Sequence, residues 1–372
     1  MNDSQINQLL QDLVRLPSVN PAGDPGTTAA NTGEAQVAAY VAEFLRKLGL
    51  DVATPAVAPE RPNVIGKFVS RGSRRRIALA PHTDTVSVIG MTVAPFAAEI
   101  RDGKLYGRGA CDTKGSLAAF LAALANLTRD KSFREGAVDV DLCALMGEEA
   151  GNDGARALAD SGYTADLVIA GEPTDCRVVY AHKGALWLRI TTPGRTAHGS
   201  TPQDGDSAIA KMAGVVTDLL GDYARQLGNA TVNVGLIRGG SATNIVPNHC
   251  EIHVDRRLVP GETIEQVVAD LRRRLAPFAV TIEPISQACP PLHTDPAHPL
   301  VQQLAAACAH PQPLTTATWF CDAAIFATRG IPAVAFGPGF TAQAHQPDEY
   351  VELAQVHRAA RITEQFLRQA AA

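Results

Sequence analysis

Arg76-Ile77-Ala78-Leu79-Ala80-Pro81-His82-Thr83-Asp84 is an apolar run that ends on chemically active side chains. Residues 76–80 read as a buried strand closed by a proline. His82 and Asp84 then stand just past the strand's C-terminal end, which is where open α/β sheets bind ligands. The arrangement recurs twice. Residues 138–145 read as a strand running into Gly147-Glu148-Glu149, and residues 166–170 as one running into Gly171-Glu172-Pro173-Thr174. Two more blocks carry ligand-type side chains, Gly109-Ala110-Cys111-Asp112-Thr113-Lys114-Gly115 and Ala344-His345-Gln346-Pro347-Asp348-Glu349. Each block is weak alone, but their order and the strands before three of them make the set specific. Imidazole and carboxylate donors suit zinc and its neighbours, and two such ions can activate a water for attack on an amide.

Each residue has a plainer reading beside the chemical one. A His-x-Asp pair is common by chance, although Asp84 could orient His82 by holding its second ring nitrogen. Asp112, ahead of a helix-forming stretch, could be an N-cap, a carboxylate bridging two ions, or both. Adjacent Glu148 and Glu149 could be a solvated pair. If one binds a metal, the other is free to act as general base. Glu172 could be a turn residue and His345 an ordinary loop histidine.

Around these blocks the pattern is α/β. Helical stripes at Ile6–Val14 and Val37–Leu48 are followed by strands over 63–69 and 76–80. Asp102-Gly103 signals a hairpin, and a helix follows Gly115. Near residue 178 the character changes. A long strand over 178–191, a helix over 204–227, strands over 231–237 and 251–258, and a helix over 262–275 form an α+β unit without acidic ligand blocks. After Pro290-Pro291 the α/β pattern returns, with a helix from about His298, a strand over 331–336 and a last helix from Leu353. The expected organisation is a discontinuous catalytic domain, 1–178 and 290–372, interrupted by an inserted domain, 179–289.

The bulk composition excludes several classes. The 372 residues suffice for two cores, and 46% hydrophobic with 19% charged residues is ordinary for a globular enzyme. With 33 basic and 38 acidic residues, net charge −5, no nucleic-acid partner is expected. Seven cysteines without paired spacing argue against a disulfide framework. No apolar run approaches the roughly 20 residues that span a bilayer, and the first sixteen residues lack the pattern of a signal peptide. A cytoplasmic protein without a membrane partner is expected.

The five blocks together resemble the M20 family of metallo-aminoacylases and peptidases, most closely its acetylornithine deacetylase and succinyl-diaminopimelate desuccinylase branch. The likeness runs from Leu16-Pro17-Ser18 to Asp348-Glu349-Tyr350. It implies two divalent ions, zinc with cobalt as an alternative. His82 and Glu172 would bind one and Glu149 and His345 the other, with Asp112 as the bridge. Asp84 would orient His82, and Glu148 would be the base and proton shuttle. The insertion would be an α+β, ferredoxin-like lid and dimerisation domain. In it, Gly194-Arg195-Thr196-Ala197-His198 matches the segment whose His stabilises an oxyanion. Gly239-Gly240-Ser241-Ala242-Thr243-Asn244 matches the segment whose Asn contacts substrate. Arg257, within Asp255-Arg256-Arg257-Leu258, would hold a substrate carboxylate. The implied substrate is a small N-acyl amino acid such as N-acetylornithine. A desuccinylase, dipeptidase or carboxypeptidase is possible on the same scaffold, and the implied assembly is a homodimer. Gly147 departs from the pattern, since an acidic residue or Thr is frequent there. Cys111 and Thr113, which flank Asp112, and Trp319-Phe320-Cys321-Asp322 depart as well. A metal-binding protein without catalysis would show a missing ligand or base, and every expected position is present.

Overall fold

The computed structural model describes residues 1–22, 28, 30–286 and 288–372. Contacts divide the chain into two compact units. One comprises Met1–Ala181, His293–Ala317 and Cys321–Ala372, the other His182–Leu292 with Thr318–Phe320.

The first unit is built on a mixed nine-stranded sheet. Its centre is parallel, in the order Val138–Ala144, Arg75–Pro81, Leu167–Gly171, Ala333–Phe336. Antiparallel strands flank it, with Val64–Phe68 beside Val138–Ala144 and Val178–His182 beside Ala333–Phe336. Leu167–Gly171 and Ala333–Phe336 are buried throughout and Arg75–Pro81 is buried from Ile77 onward, which explains why they read as continuous apolar runs; Val138–Ala144 is equally buried but carries Asp139 and Asp141 at alternate positions. Because the four run parallel, their C-terminal ends share one edge of the sheet. Helix Gly115–Leu127 is apolar on every side, and all of its residues except Asn126 are buried. The closing helix Leu353–Ala371 packs against it. Asp102 and Gly103 both have positive φ, 51° and 74°, as a two-residue hairpin turn demands.

The second unit follows a strand–helix–strand–strand–helix–strand order. The strands Gly184–Pro193, Thr231–Gly239, His249–Leu258 and Thr281–Pro284 alternate with helices Ala208–Asp218 and Ile264–Leu275. Across the antiparallel sheet the order is second, third, first, fourth, the ferredoxin-like arrangement. Leu186, Leu188, Ile190, Ile252 and Val254 point into a core closed by Met212, Val215 and Leu271. Trp187 and Arg189, at alternate positions, stay on the open face.

Two local expectations need correction. The single strand over 178–191 is two strands in different sheets, broken at Lys183, one residue after the second unit begins at His182. Apolar periodicity cannot register that a chain changes sheets. The helix over 204–227 begins only at Ala208, because the Ser207 side chain accepts the Ala210 N–H and caps it there. All seven cysteines are buried. Among the described residues no helix is long and apolar enough to cross a membrane.

His182 opens the second unit and is 2% exposed. Its Nδ1 lies 2.9 Å from the Lys183 carbonyl oxygen, and burial holds its pKa down at about 4. The unfolded chain binds this proton near pH 6.5 and the folded chain does not, so stability falls as pH drops from about 6.5 towards 4. The urea stability of His182→Phe relative to the parent should therefore improve by about 2 kcal/mol between pH 7 and pH 5. A difference that does not change with pH would rule out this source of acid sensitivity.

Candidate metal centre

Three of the four parallel strands deliver the acidic and imidazole groups directly. Arg75–Pro81 ends on His82, Val138–Ala144 leads to Glu148 and Glu149, and Leu167–Gly171 leads to Glu172. His82 lies between the two acidic segments because its strand is central to theirs. Backbone bonds continue the ladder past the strand ends, with Thr83 N–H on the Leu145 carbonyl at 2.8 Å. Gly147 has φ 76°, a left-handed turn that turns the chain sharply into the short helical turn Glu148–Ala150. A side chain there would carry conformational strain, which explains the departure from the acidic or Thr residue expected.

Asp112 and His345 come from loops. The Asp112 carboxylate receives one imidazole on each oxygen. His82 Nε2 is 2.9 Å from Oδ1 and His345 Nε2 is 3.3 Å from Oδ2. His345 Nε2 is also 3.2 Å from Glu149 Oε2. Ligand atoms of His82, Asp112 and Glu149 all lie within 4.8 Å of one another. The two imidazoles differ in setting, since the His82 side chain is 1% exposed and that of His345 53%. His345 has φ 63°, a conformation that costs a non-glycine residue on the order of 1–3 kcal/mol and clusters at functional sites. Asp112 does not cap the following helix, whose N-cap is Lys114.

Asp84 does more than face His82. The nearer partner of His82 Nδ1 is the Asp84 carbonyl oxygen, at 3.0 Å, with Oδ1 at 3.4 Å. The carboxylate instead accepts the Glu148 N–H on Oδ1 and the Glu149 N–H on Oδ2, both at 3.0 Å. Asn20 Nδ2 donates to Oδ2 at 2.7 Å. Asp84 thus ties the His82 turn to the glutamate turn. Glu148 and Glu149 diverge, Glu149 towards His345 and Glu148 towards Asn152, whose Nδ2 is 3.4 Å from Glu148 Oε1. Asn152 also donates to the buried Asp322 at 3.0 Å.

The charge balance is lopsided. Burial, then Glu172, pushes the Glu148 carboxyl well up; burial, then Asp112, does the same to Glu172 and raises Glu149. Burial lifts Asp322 to about 6. Asp112 is lowered, because the hydrogen bonds of His345 and His82 outweigh its burial, and Asp84 is lowered as well, its burial outweighed by His82, Asn20 and the Glu149 N–H. His345 rises to about 10 through Asp112 and Glu149. Such clustering of mutually repelling buried acids marks functional sites.

The second unit holds the remaining predicted residues. His198 and Asn244 lie on neighbouring segments. His198 bridges Ile245, and Gly199 N–H donates to the Asn244 carbonyl at 2.7 Å. His198 Nδ1 is 2.7 Å from Ser200 Oγ, and both predicted residues are exposed. Strand alternation separates the two arginines. Arg256 is 1% exposed and pairs with Glu262 and Tyr223, whereas Arg257 faces outward. Arg257 Nε and one Nη reach Asp255 Oδ2 at 3.1 and 3.0 Å, and its guanidinium lies 5.7 Å from the Phe320 ring. Asn20 and Asn152 carried no distinguishing signal in the sequence, and Asp322 and Glu349 fell within quoted segments without a role of their own. Their partners are far along the chain, so spacing could not single them out.

The sequence pattern of peptidase family M20/M25/M40 matches residues 78–369. The chain belongs to this family. Solved structures share its fold. Aminopeptidase PepT from Bacillus cereus is 22% identical, with all of both chains covered and a TM-score of 0.83. The M20 metallo-carboxypeptidase Sso-CP2 from Sulfolobus solfataricus is 20% identical over 99% of each chain, with a TM-score of 0.79. The Bacillus subtilis YXEP protein, a dinuclear metal-binding M20 peptidase, is 16% identical over 99% of this chain and 98% of its own, with a TM-score of 0.74. M20 membership makes the protein a hydrolase of amide or peptide bonds. Its residues fit the metal that the family implies. Glu149 Oε1 and Glu172 Oε1 are buried without a hydrogen-bond partner. A buried carboxylate oxygen left unpaired is costly, and a divalent cation is the partner that suits an imidazole–carboxylate donor set.

Proposed function

We propose that this M20 protein is a two-metal hydrolase that removes an N-acyl group, acetyl foremost, from an amino acid such as N-acetylornithine. The observation that carries the two-metal part is the convergence of His82 and His345 on separate oxygens of Asp112. His82 and Glu172 would hold one ion, His345 and Glu149 the other, and Asp112 both. Zinc suits this set, and cobalt is accepted by the same donors. Two ions bound there supply Lewis acidity and lower the pKa of a water. Glu148 takes the proton of the attacking water and passes it to the leaving amine. Asp84 keeps Glu148 and Glu149 on their separate headings. His198 stabilises the oxyanion and Asn244 contacts the substrate. In this reading 1–178 with 290–372 form the catalytic domain, and 179–289 the lid of a cytoplasmic homodimer. The choice of an N-acyl amino acid is supported by the likeness of the motif blocks to the deacetylase branch. The test is a panel of N-acetyl amino acids, N-succinyl amino acids and dipeptides with Zn²⁺ or Co²⁺ added. The N-acetyl series should give the highest kcat/KM. A panel led by dipeptides would replace the substrate, and metal-loaded protein that turns over no amide would overturn the reading.

Arg257 reads the substrate carboxylate in this scheme. A guanidinium can share its donors between Asp255 and a second carboxylate, and an ammonium cannot reproduce that fork. A hydrogen bond to a charged group is worth roughly 1.5–3 kcal/mol. Arg257→Lys should therefore lower kcat/KM on acyl-amino acids about 10–100-fold, with a much smaller loss on the matching amides. Equal losses on both would reduce Arg257 to a partner of Asp255.

A further inference from the structure

Glu349 is fully buried, and nothing so far gives it a role. Its two oxygens are saturated with donors from one segment. Oε1 accepts the backbone N–H of Cys111 at 2.9 Å and of Asp112 at 3.1 Å. Oε2 accepts the Gly109 N–H at 3.1 Å and Arg108 Nη1 at 2.6 Å. The Arg108 side chain is 4% exposed, and it also donates to the Ser87 carbonyl at 2.9 Å and, at 3.5 Å, to the Gln346 carbonyl beside His345. Glu349 lies four residues beyond His345, and its own N–H returns to the Gln346 carbonyl at 3.3 Å. One ion pair thus joins the loop that carries Asp112 to the loop that carries His345.

A buried carboxylate beside Asp112 is an expensive way to fill space, and apolar packing would serve stability as well or better. A carboxylate offers what apolar packing lacks, namely directed acceptors for several N–H groups at once. Asp112 must present one oxygen to each imidazole, so its backbone has to be held within a fraction of an ångström.

We propose that Glu349, held by Arg108, is a positioning residue that sets Asp112 and His345 at metal-binding distance from each other. The proposal rests on the reading of Asp112 and His345 as metal ligands. In Glu349→Gln one acceptor oxygen becomes an NH₂ donor. Whichever way the amide turns, that group faces either the Cys111 and Asp112 N–H groups or those of Gly109 and Arg108. Loss of an outer partner weakens metal affinity by roughly 10–100-fold.

The test uses the full chain, stripped of metal and titrated with Co²⁺ against a chelator, well below the unfolding temperature. Glu349→Gln should bind Co²⁺ about 10–100-fold more weakly and show a shifted visible absorption spectrum. Arg108→Lys should shift both in the same direction by a smaller factor. Leu127→Ala, destabilised at the far end of helix Gly115–Leu127, should match the parent in affinity and spectrum. If Glu349→Gln does not fold, Arg108→Lys and Glu349→Asp carry the test. Parental affinity and spectrum in the folded variants would overturn the positioning role while the metal site stands. A parent protein that binds no Co²⁺ would overturn both.

Discussion

Glu148→Gln is expected to keep its metal while kcat falls about 10²–10⁴-fold, the usual worth of a placed general base. The substitution preserves shape, and its amide oxygen can still accept from Asn152, which lies 3.4 Å from Glu148 Oε1. What disappears is the ability to take a proton. Metal should be retained because Glu149, not Glu148, lies with His82 and Asp112 in the cluster of donor atoms close enough together to hold an ion. The backbone N–H of residue 148 still donates to Asp84, so the glutamate turn is kept. Bound metal and kcat need to be measured on the same preparation. A rate within a few fold of the parent, or loss of metal, would assign the base to another residue.

Asp112→Asn is expected to abolish turnover and to weaken metal binding by more than the roughly 10–100-fold that an outer partner costs. Among the described residues Asp112 is the one that meets both imidazoles, through Oδ1 and Oδ2. The amide keeps one of these acceptors and replaces the other with a donor, which can neither bridge two cations nor face a protonated imidazole. The fold should survive, because the residue's backbone N–H remains on Glu349. Metal content after dialysis, chelator competition and thermal unfolding separate these effects. Two ions bound with parental affinity would show that Asp112 is not the bridge.

Local pattern identified the groups that follow strand ends. His82, Glu148, Glu149 and Glu172 each lie within a few residues of an apolar strand, and strands of that kind are visible in one dimension. Gly147 is also local, because a left-handed turn before the glutamate pair depends only on its own backbone. The arginine pair lies between the two cases. Alternation along a strand puts Arg256 and Arg257 on opposite faces, but only the core of the second unit shows that Arg256 is the buried one. The break at Lys183 escaped for a related reason. Residues on both sides suit a strand, and the change of sheet is set by partners more than sixty residues away.

The sequence by itself determined the donor types, their order and their placement past the ends of parallel strands. Side-chain period and strand-to-loop transitions are local properties, and the motif blocks sufficed to indicate the family. Only the tertiary structure decided which oxygen of Asp112 faces which imidazole. It also decided that Asp84 holds the glutamate turn and that Glu148 and Glu149 point apart. The pairs Asn152–Asp322 and Arg108–Glu349 belong to the same class. Their members are separated by 170 and 241 positions, and hydrogen bonds of that kind depend on distance in space, which spacing along the chain does not encode.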